Sequence, residues 1–383
     1  MPKVRFGDVV REVKHNIDRN NNPYESYVAG DHMDTADLTI HRRGCFATDD
    51  VGPAFVREFK KGQVLYGSRR TYLKKVAVAD FDGVTANTTF VLETKNPDIF
   101  LQTLLPFVML TDSFTEWSVK RSKGSTNPYV LFSDLADFEF ELPDIEEQRR
   151  VSDVLWACFR LREHYEGLIQ QCDALVQSQF VEMFGELGTD NHGWGLTTLG
   201  KCCVLNPTRP RGISPDLQVS FVAMPSVTEK GEIDSSIVKP YSEASKGFTY
   251  FEERDVLFAK ITPCMENGKG CVATGLTNGI GGGSTEFHVL RPISGVSNPY
   301  WLYCISIMPK FRKNARKVMT GTGGQLRVPI SFIDSQPITL PPIDLQDQFE
   351  EFYHETDKSK LAIRQALESL EKSRSAIMTK VFG

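Results

Sequence analysis

The chain contains no run of 18 uninterrupted apolar residues; its best candidate, residues 104–110, is seven long and is broken by Pro106. A membrane-spanning helix needs roughly 20, so no transmembrane segment is expected. The opening Met1-Pro-Lys-Val-Arg-Phe6 lacks the apolar core of a secretory leader, and a cytoplasmic location is expected. The eight cysteines include no CxxC pair, which argues against a zinc ribbon or a redox dithiol and for reduced thiols. The seven histidines form no HxxxH pair of the kind that holds a metal on one helix face.

The usual signatures of catalysis are missing as well. No Gly-x-Ser-x-Gly elbow is present. Gly279-Ile-Gly-Gly-Gly-Ser-Thr285 has no lysine to reach a phosphate and precedes a strand pattern rather than a helix, so it reads as a flexible loop and not a nucleotide site. Asn-Pro-Tyr occurs at Asn22, Asn127 and Asn298, one proline short of the tetrapeptide with which amino-methyltransferases hold a flipped base. No glycine-rich cofactor loop accompanies any of them, and all three read as turns. No catalytic residue, metal ligand or bound cofactor is therefore nominated.

What is present is a repeat. Leu142-Pro-Asp-Ile-Glu-Glu-Gln148 returns as Leu340-Pro-Pro-Ile-Asp-Leu-Gln346, and at the same offset of 198 Val151 falls on Phe349, Leu155 on Tyr353, and Met183-Phe-Gly185 on Val381-Phe-Gly383. No insertion is needed. The upstream stretches match more loosely: Leu65-Tyr-Gly67 with Leu257-Phe-Ala259, Thr89-Phe-Val-Leu92 with Glu286-Phe-His-Val-Leu290, and Val130 with Val328. The 383 residues suffice for two domains. The chain reads as residues 1–143, a first recognition domain; 144–187, a first long helix; 188–342, a second domain; and 343–383, a second long helix.

The helical segments carry apolar residues at spacings of three and four: Val151, Val154, Leu155, Cys158, Leu161, Leu168, Cys172, Leu175 and Val176, then Phe349, Phe352, Ile363, Ala366, Leu370 and Ile377. Proline stands before each run and Asp144 or Asp344 at its start, where a carboxylate suits the unpaired N–H groups. A helix of about 40 residues is roughly 60 Å long and has little but its twin against which to bury such a seam. The expected class is α+β: two globular domains joined by two long helices in an intramolecular antiparallel coiled coil with a pseudo-two-fold axis.

Net charge is −5, which speaks against nucleic-acid binding until it is divided. The two helical segments together carry −7, leaving +2 for the rest. Residues 57–75 hold seven bases against one acid, and residues 310–327 hold six bases and no acid. Basic patches on the domains and acid on the spacer suit a DNA reader whose helices face other proteins. The donor-rich segments supply the candidates: Arg69, Arg70, Lys74, Lys75, Lys123, Ser125 and Asn127 in the first domain, and Lys260, Thr262, Asn267, Lys269, Gln325 and Arg327 in the second. Gln325 suits adenine, and Arg327 suits guanine or phosphate.

The doubled Leu142 and Leu340 motifs with their helices, Leu257-Phe-Ala-Lys-Ile-Thr-Pro263 with Asn267-Gly-Lys269, Ser284-Thr-Glu-Phe-His-Val-Leu290 and Thr320-Gly-Thr-Gly-Gly-Gln-Leu-Arg-Val328 together resemble the specificity subunits of type I restriction–modification systems. The resemblance implies two target-recognition domains that each read half of a split double-stranded DNA site, separated by a helical spacer. It also implies two methylation subunits docked on that spacer, with restriction and translocation subunits joining them. S-adenosylmethionine, ATP and Mg would then sit on the partners and not on this chain. The first domain departs from the pattern: Gly67-Ser-Arg-Arg-Thr71 replaces the Lys-Ile-Thr-Pro element, and Lys123-Gly-Ser-Thr-Asn127 replaces the Gly-Gly-Gln-Leu-Arg loop. Two other readings stay open, a single-chain DNA methyltransferase or nuclease with its own recognition domain, and a coiled-coil scaffold that reads no DNA.

Overall fold

Short runs rich in Val, Phe and Thr, cut off by Gly, Asp or Pro, become short strands in both halves of the chain. The computed structural model describes residues 2–382. It divides into two units: the first comprises the chain up to Glu166 plus the stretch from Arg364, and the second is Gly167–Ile363.

In the first unit, the strands Val10–Glu12, Thr89–Thr94, Val64–Gly67 and Val76–Val78 lie side by side in that order as an antiparallel sheet. A second sheet has the order Gly44–Cys45, Ser26–Val28, Gly83–Ala86, Phe55–Phe59, with its middle pair parallel. The second unit repeats both sheets. Cys203–Leu205, Phe287–Pro292, Val256–Ala259 and Gly270–Val272 form the antiparallel one. Val238–Pro240, Gln218–Val222, Ile280–Gly283 and Thr249–Glu252 form the mixed one, again with its middle pair parallel. Two domains whose sequences agree only loosely thus share one topology. A strand pattern tolerates any residue that suits the pleat and burial, so topology outlasts identity.

The glycine-rich stretch expected to be a flexible loop is instead a central strand, Ile280–Gly283, buried at its three glycines. A Cβ would come within 2.1 Å of the Phe251 ring at Gly281 and within 2.2 Å of carbonyl oxygens at Gly282 and Gly283. Glycine here permits close packing rather than mobility. Asn298-Pro-Tyr likewise opens a helix, Pro299–Ile307, rather than forming a turn. Asn298 Oδ1 accepts from Tyr300 N at 2.9 Å, and proline sits at the first helical position, a pairing that favours a helix start. Asn22 does shape a turn, its Oδ1 accepting from Tyr24 N.

The two long helices are Ile145–Phe184 and Ile343–Phe382. Asp144 Oδ1 accepts from Glu147 N to cap the first. Gly185, at φ 78°, ends it with its N–H on Val181 O, so residues 185–187 lie beyond the helix. In the first unit, Val151, Leu155 and Phe159 from the start of the first helix share a core with Val381 and Phe382 from the end of the second. In the second unit, Phe180 and Phe184 from the end of the first helix meet Phe349 from the start of the second, with ring centroids 5.3 and 5.5 Å apart. The helices therefore run antiparallel. Each such buried apolar side chain contributes about 1.5–3 kcal/mol.

The seam is narrower than the spacing predicts. Val154, Leu161, Leu168 and Leu175, counted in it from the sequence, are 46%, 40%, 43% and 50% exposed. They recur every seven residues along the outer side of the first helix. The helix carries a buried stripe and an exposed one, and periodicity alone does not say which of two apolar stripes meets the partner.

The repeated Leu-Pro-x-Ile-x-x-Gln motif also gains a physical reason. Gln148 is buried; its amide donates to Ile99 O and Pro143 O and its oxygen accepts from Leu101 N. Gln346 does the same with Val296 O, Pro341 O and Asn298 N. Each glutamine ties the first turn of a long helix to a loop of its own unit and satisfies backbone groups that burial cuts off from water.

Candidate nucleic-acid interface

In the second unit the strand Val256–Ala259 runs out into residues 260–269, and the chain returns after the helix Pro309–Lys317 as Thr320–Thr322 paired with Gln325–Arg327. The sequence reading treats residues 320–327 as a loop. Gly323 and Gly324, at φ 63° and 79°, instead close a two-residue hairpin turn that few other residues could make. The hairpin is stitched to residues 260–262. Thr262 N donates to Leu326 O, Leu326 N donates to Thr262 Oγ1, Thr262 Oγ1 donates to Gly324 O at 2.8 Å, and Val328 N donates to Lys260 O at 2.9 Å. Two stretches nominated separately thus stand side by side. Gln325 and Asn267 are exposed there, and Lys260, Lys269 and Arg327 are half-buried. Lys269 Nζ donates to Met224 O. Thr262 uses its hydroxyl to hold the hairpin.

The first unit builds the same junction from different residues. Gly67 N bonds Lys75 O as Ala259 N bonds Lys269 O. Ser68 N bonds Thr88 O as Lys260 N bonds Glu286 O, and Val130 N bonds Ser68 O as Val328 N bonds Lys260 O. Ser68, Thr88 and Tyr129 therefore occupy the places of Lys260, Glu286 and Arg327. Around them Arg69, Arg70, Lys123 and Ser125 are exposed, and Arg70 Nε donates to Asn127 Oδ1 at 3.3 Å. Lys123 pairs with Asp134 at 2.9 Å, Lys74 pairs with Asp112 at 2.6 Å, and Lys75 donates to Gly30 O. The departures from the family motif in this half change side chains and leave the backbone junction intact.

The basic stretches are less free than a count of charges implies. Arg57 lies between Val13 O and Glu12, and Lys60 is paired with Glu58 and Asp82. Arg312 is no surface cation at all. It is 8% exposed, donates to Ser306 O (2.6 Å), Met265 O (2.8 Å), Gly268 O and Lys269 O, and lies 4.5 Å over the Phe258 ring. Burial pushes its pKa down to about 10, so it remains a cation at neutral pH. It clamps residues 265–269 from beneath, which fixes where Asn267 and Lys269 stand.

Sequence reasoning also missed His288 and Glu286. His288 is buried, with Nε2 2.8 Å from Val328 O and Nδ1 3.3 Å from the Asn206 amide. Burial depresses its pKa, so the neutral ring donates to Val328 O and braces the strand that leaves the hairpin. Glu286 holds Arg327 through Nε and Nη2, and that hydrogen bonding keeps its carboxyl below the usual range. Both residues lie in the quoted Ser284–Leu290 motif, but no spacing rule links them to positions 40 residues away.

Burial pushes Cys202 up to about 11 and Cys203 up to about 12, which leaves both thiols protonated and inert. Asp37, His41 and Glu163 bring possible ligand atoms within 4.8 Å of one another. However, Asp37 faces Arg162 at 3.4 Å and Glu163 accepts from Thr39 at 2.5 Å, so protein partners already satisfy the cluster.

Residues 56–171 match the family model described as the type I restriction modification DNA specificity domain. That stretch of the chain is thus similar to a type I restriction–modification DNA specificity domain. The matched stretch includes the first-unit junction up to Tyr129 and the first half of the first long helix. The EcoAI specificity subunit of a type I restriction enzyme from Escherichia coli is 40% identical over 158 residues, 41% of this chain and 26% of that protein. The EcoEI specificity subunit, also from Escherichia coli, is 39% identical over 152 residues, 39% of this chain and 25% of that protein. The matched stretch is thus about a quarter of those relatives' length. The fold likeness runs the length of the chain. The type I restriction–modification S subunit from M. genitalium superposes with a TM-score of 0.58 at 13% identity, covering 100% of this chain and 96% of that one. A chain from a structure of type I R-M complex assembly and conformational transition gives 0.57 at 19%, covering 99% and 97%. Among the described residues no helix is long and apolar enough to cross a membrane.

Proposed function

We propose that this specificity-domain chain is the non-catalytic subunit that gives a type I restriction–modification system its DNA sequence. Each unit reads one half of a split site in double-stranded DNA, and the paired helices carry two methylation subunits, with restriction and translocation subunits joining that core. The observation that carries this reading is the doubled junction: one backbone arrangement occurs twice and presents Arg69, Arg70 and Tyr129 in one unit and Lys260, Gln325 and Arg327 in the other. Equal frameworks with unequal side chains suit two readers of different sequences. On this reading S-adenosylmethionine, ATP and Mg belong to the partners, and the chain works on DNA in the cytoplasm, where its thiols stay reduced. The test is to incubate the full chain with a pool of random 40-base-pair duplexes and sequence what it retains. Two short motifs separated by a constant gap are expected. A single motif, or none, would contradict the reading.

The exposed stripe Val154, Leu161, Leu168 and Leu175 supports docking on the helices. Contiguous apolar surface on a helix face costs free energy unless another protein covers it, and a seven-residue repeat suits a partner helix. Leu161→Glu combined with Leu168→Glu is expected to leave the melting temperature of the chain almost unchanged, because both positions are surface sites. The same pair is expected to abolish co-purification with co-expressed methylation subunits. Retained co-purification would place docking elsewhere.

A further inference from the structure

Three charged side chains meet at the second-unit junction, and two of them hold each other. Arg327 Nε lies 2.9 and 3.2 Å from the carboxylate oxygens of Glu286, and Nη2 lies 2.8 Å from one of them. This side-on grip takes one edge of the guanidinium and leaves the other edge, with its parallel N–H groups, unengaged. The Arg327 side chain is 41% exposed and that of Glu286 24%, so the carboxylate sits inward and the guanidinium outward. Among the described residues, no hydrogen bond or ion pair is formed by the Lys260 ammonium, whose electrostatic neighbours are Glu286 and Arg327. At the matching places the first unit has only the neutral Ser68, Thr88 and Tyr129.

Resting on the DNA-reading role above, we propose that Arg327 is a base-reading group held in register by Glu286, a positioning residue, and that Lys260 beside it is the phosphate-holding cation. Two physical arguments separate these roles. Counterion release on binding DNA follows the number of phosphates neutralised. The Arg327–Glu286 pair has no net charge to offer a phosphate, whereas Lys260 has a full one. A guanidinium whose plane is fixed along one edge presents the other as a rigid two-pronged donor, the geometry that matches O6 and N7 of guanine in the major groove. A free arginine would lose rotamer freedom to reach the same pose. The first unit, with no counterpart of this triad, reads its half by other contacts.

The experiment uses the full chain and the same pool of random duplexes. For Glu286→Gln, discrimination at one base pair of the second half-motif is expected to fall about tenfold or more, because the arginine is released from its register. Binding to a 40-base-pair duplex without the motif is expected to strengthen, and the slope of log affinity against log salt to steepen by about one, because a cation has been uncovered. Arg327→Ala should lose the same base preference and also make the slope shallower, because the freed Glu286 carboxylate then offsets Lys260, and Lys260→Met should make the slope shallower by about one with base preferences kept. An unchanged first half-motif in every case reports an intact fold. If wild-type chain enriches a split motif and Glu286→Gln alters neither base preference nor salt slope, this proposal fails alone. If wild-type chain enriches no motif, the proposal and the DNA-reading role fall together.

Discussion

Replacing Arg312 with alanine is expected to lower the stability of the second unit by about 3–5 kcal/mol, seen as an earlier urea midpoint, and to erase the second half of the DNA motif. The side chain donates to four main-chain carbonyls, two of them at 2.8 Å or less, from a position 8% exposed. Without it those oxygens face a cavity against Phe258 rather than a donor. Met265 to Lys269 then lose the clamp that sets them beside the hairpin. Lysine should rescue only part of the loss, since an ammonium cannot reproduce the planar fork that spans carbonyls from two chain segments. A midpoint within about 0.5 kcal/mol of wild type would show that the buried cation is idle.

Gln346→Ala is expected to cost about 2–4 kcal/mol, measured in the same way. It leaves Val296 O, Pro341 O and Asn298 N without their partner at a residue with no exposed surface. Gln346→Glu should be no better, because a carboxylate cannot donate to the two carbonyls and brings a buried charge. Gln148→Ala should act alike in the first unit, where the same three bonds are made to Ile99, Pro143 and Leu101. A small loss in either unit would mean that the helix starts are anchored by packing alone.

The parts of this molecule that were legible in the sequence are those whose signals are local. Proline before each long helix, Asp144 or Asp344 at its start, and a repeat without insertions pointed to two long helices, and their pairing followed from there being two of them. Signals that depend on distant partners were not legible. Val154 and Leu161 read as seam residues because their spacing fits, and only the packing of Leu155 and Phe159 against the other helix shows which stripe is covered. The glycines of Ile280–Gly283 read as flexibility because the Phe251 ring and the carbonyls that exclude a Cβ come from elsewhere in the chain. At the junctions, residue type nominated Lys260, Gln325 and Arg327, and the structure sets them together. The same criterion also counted Arg312 as surface charge, since nothing near it in the sequence reveals the carbonyls it serves. Glu286 escaped notice for the opposite reason: an acid is not sought at a DNA interface until it is seen holding an arginine.

The central claim is that two units read two half-sites at a fixed spacing. Its most direct test is to take the duplex selected by the full chain and insert or remove one or two base pairs in the gap, with both half-motifs intact. Binding is expected to fall toward the level of a duplex carrying one half-motif, because each inserted base pair shifts and rotates one half-site relative to the other. Undiminished binding across those gap lengths would contradict the account.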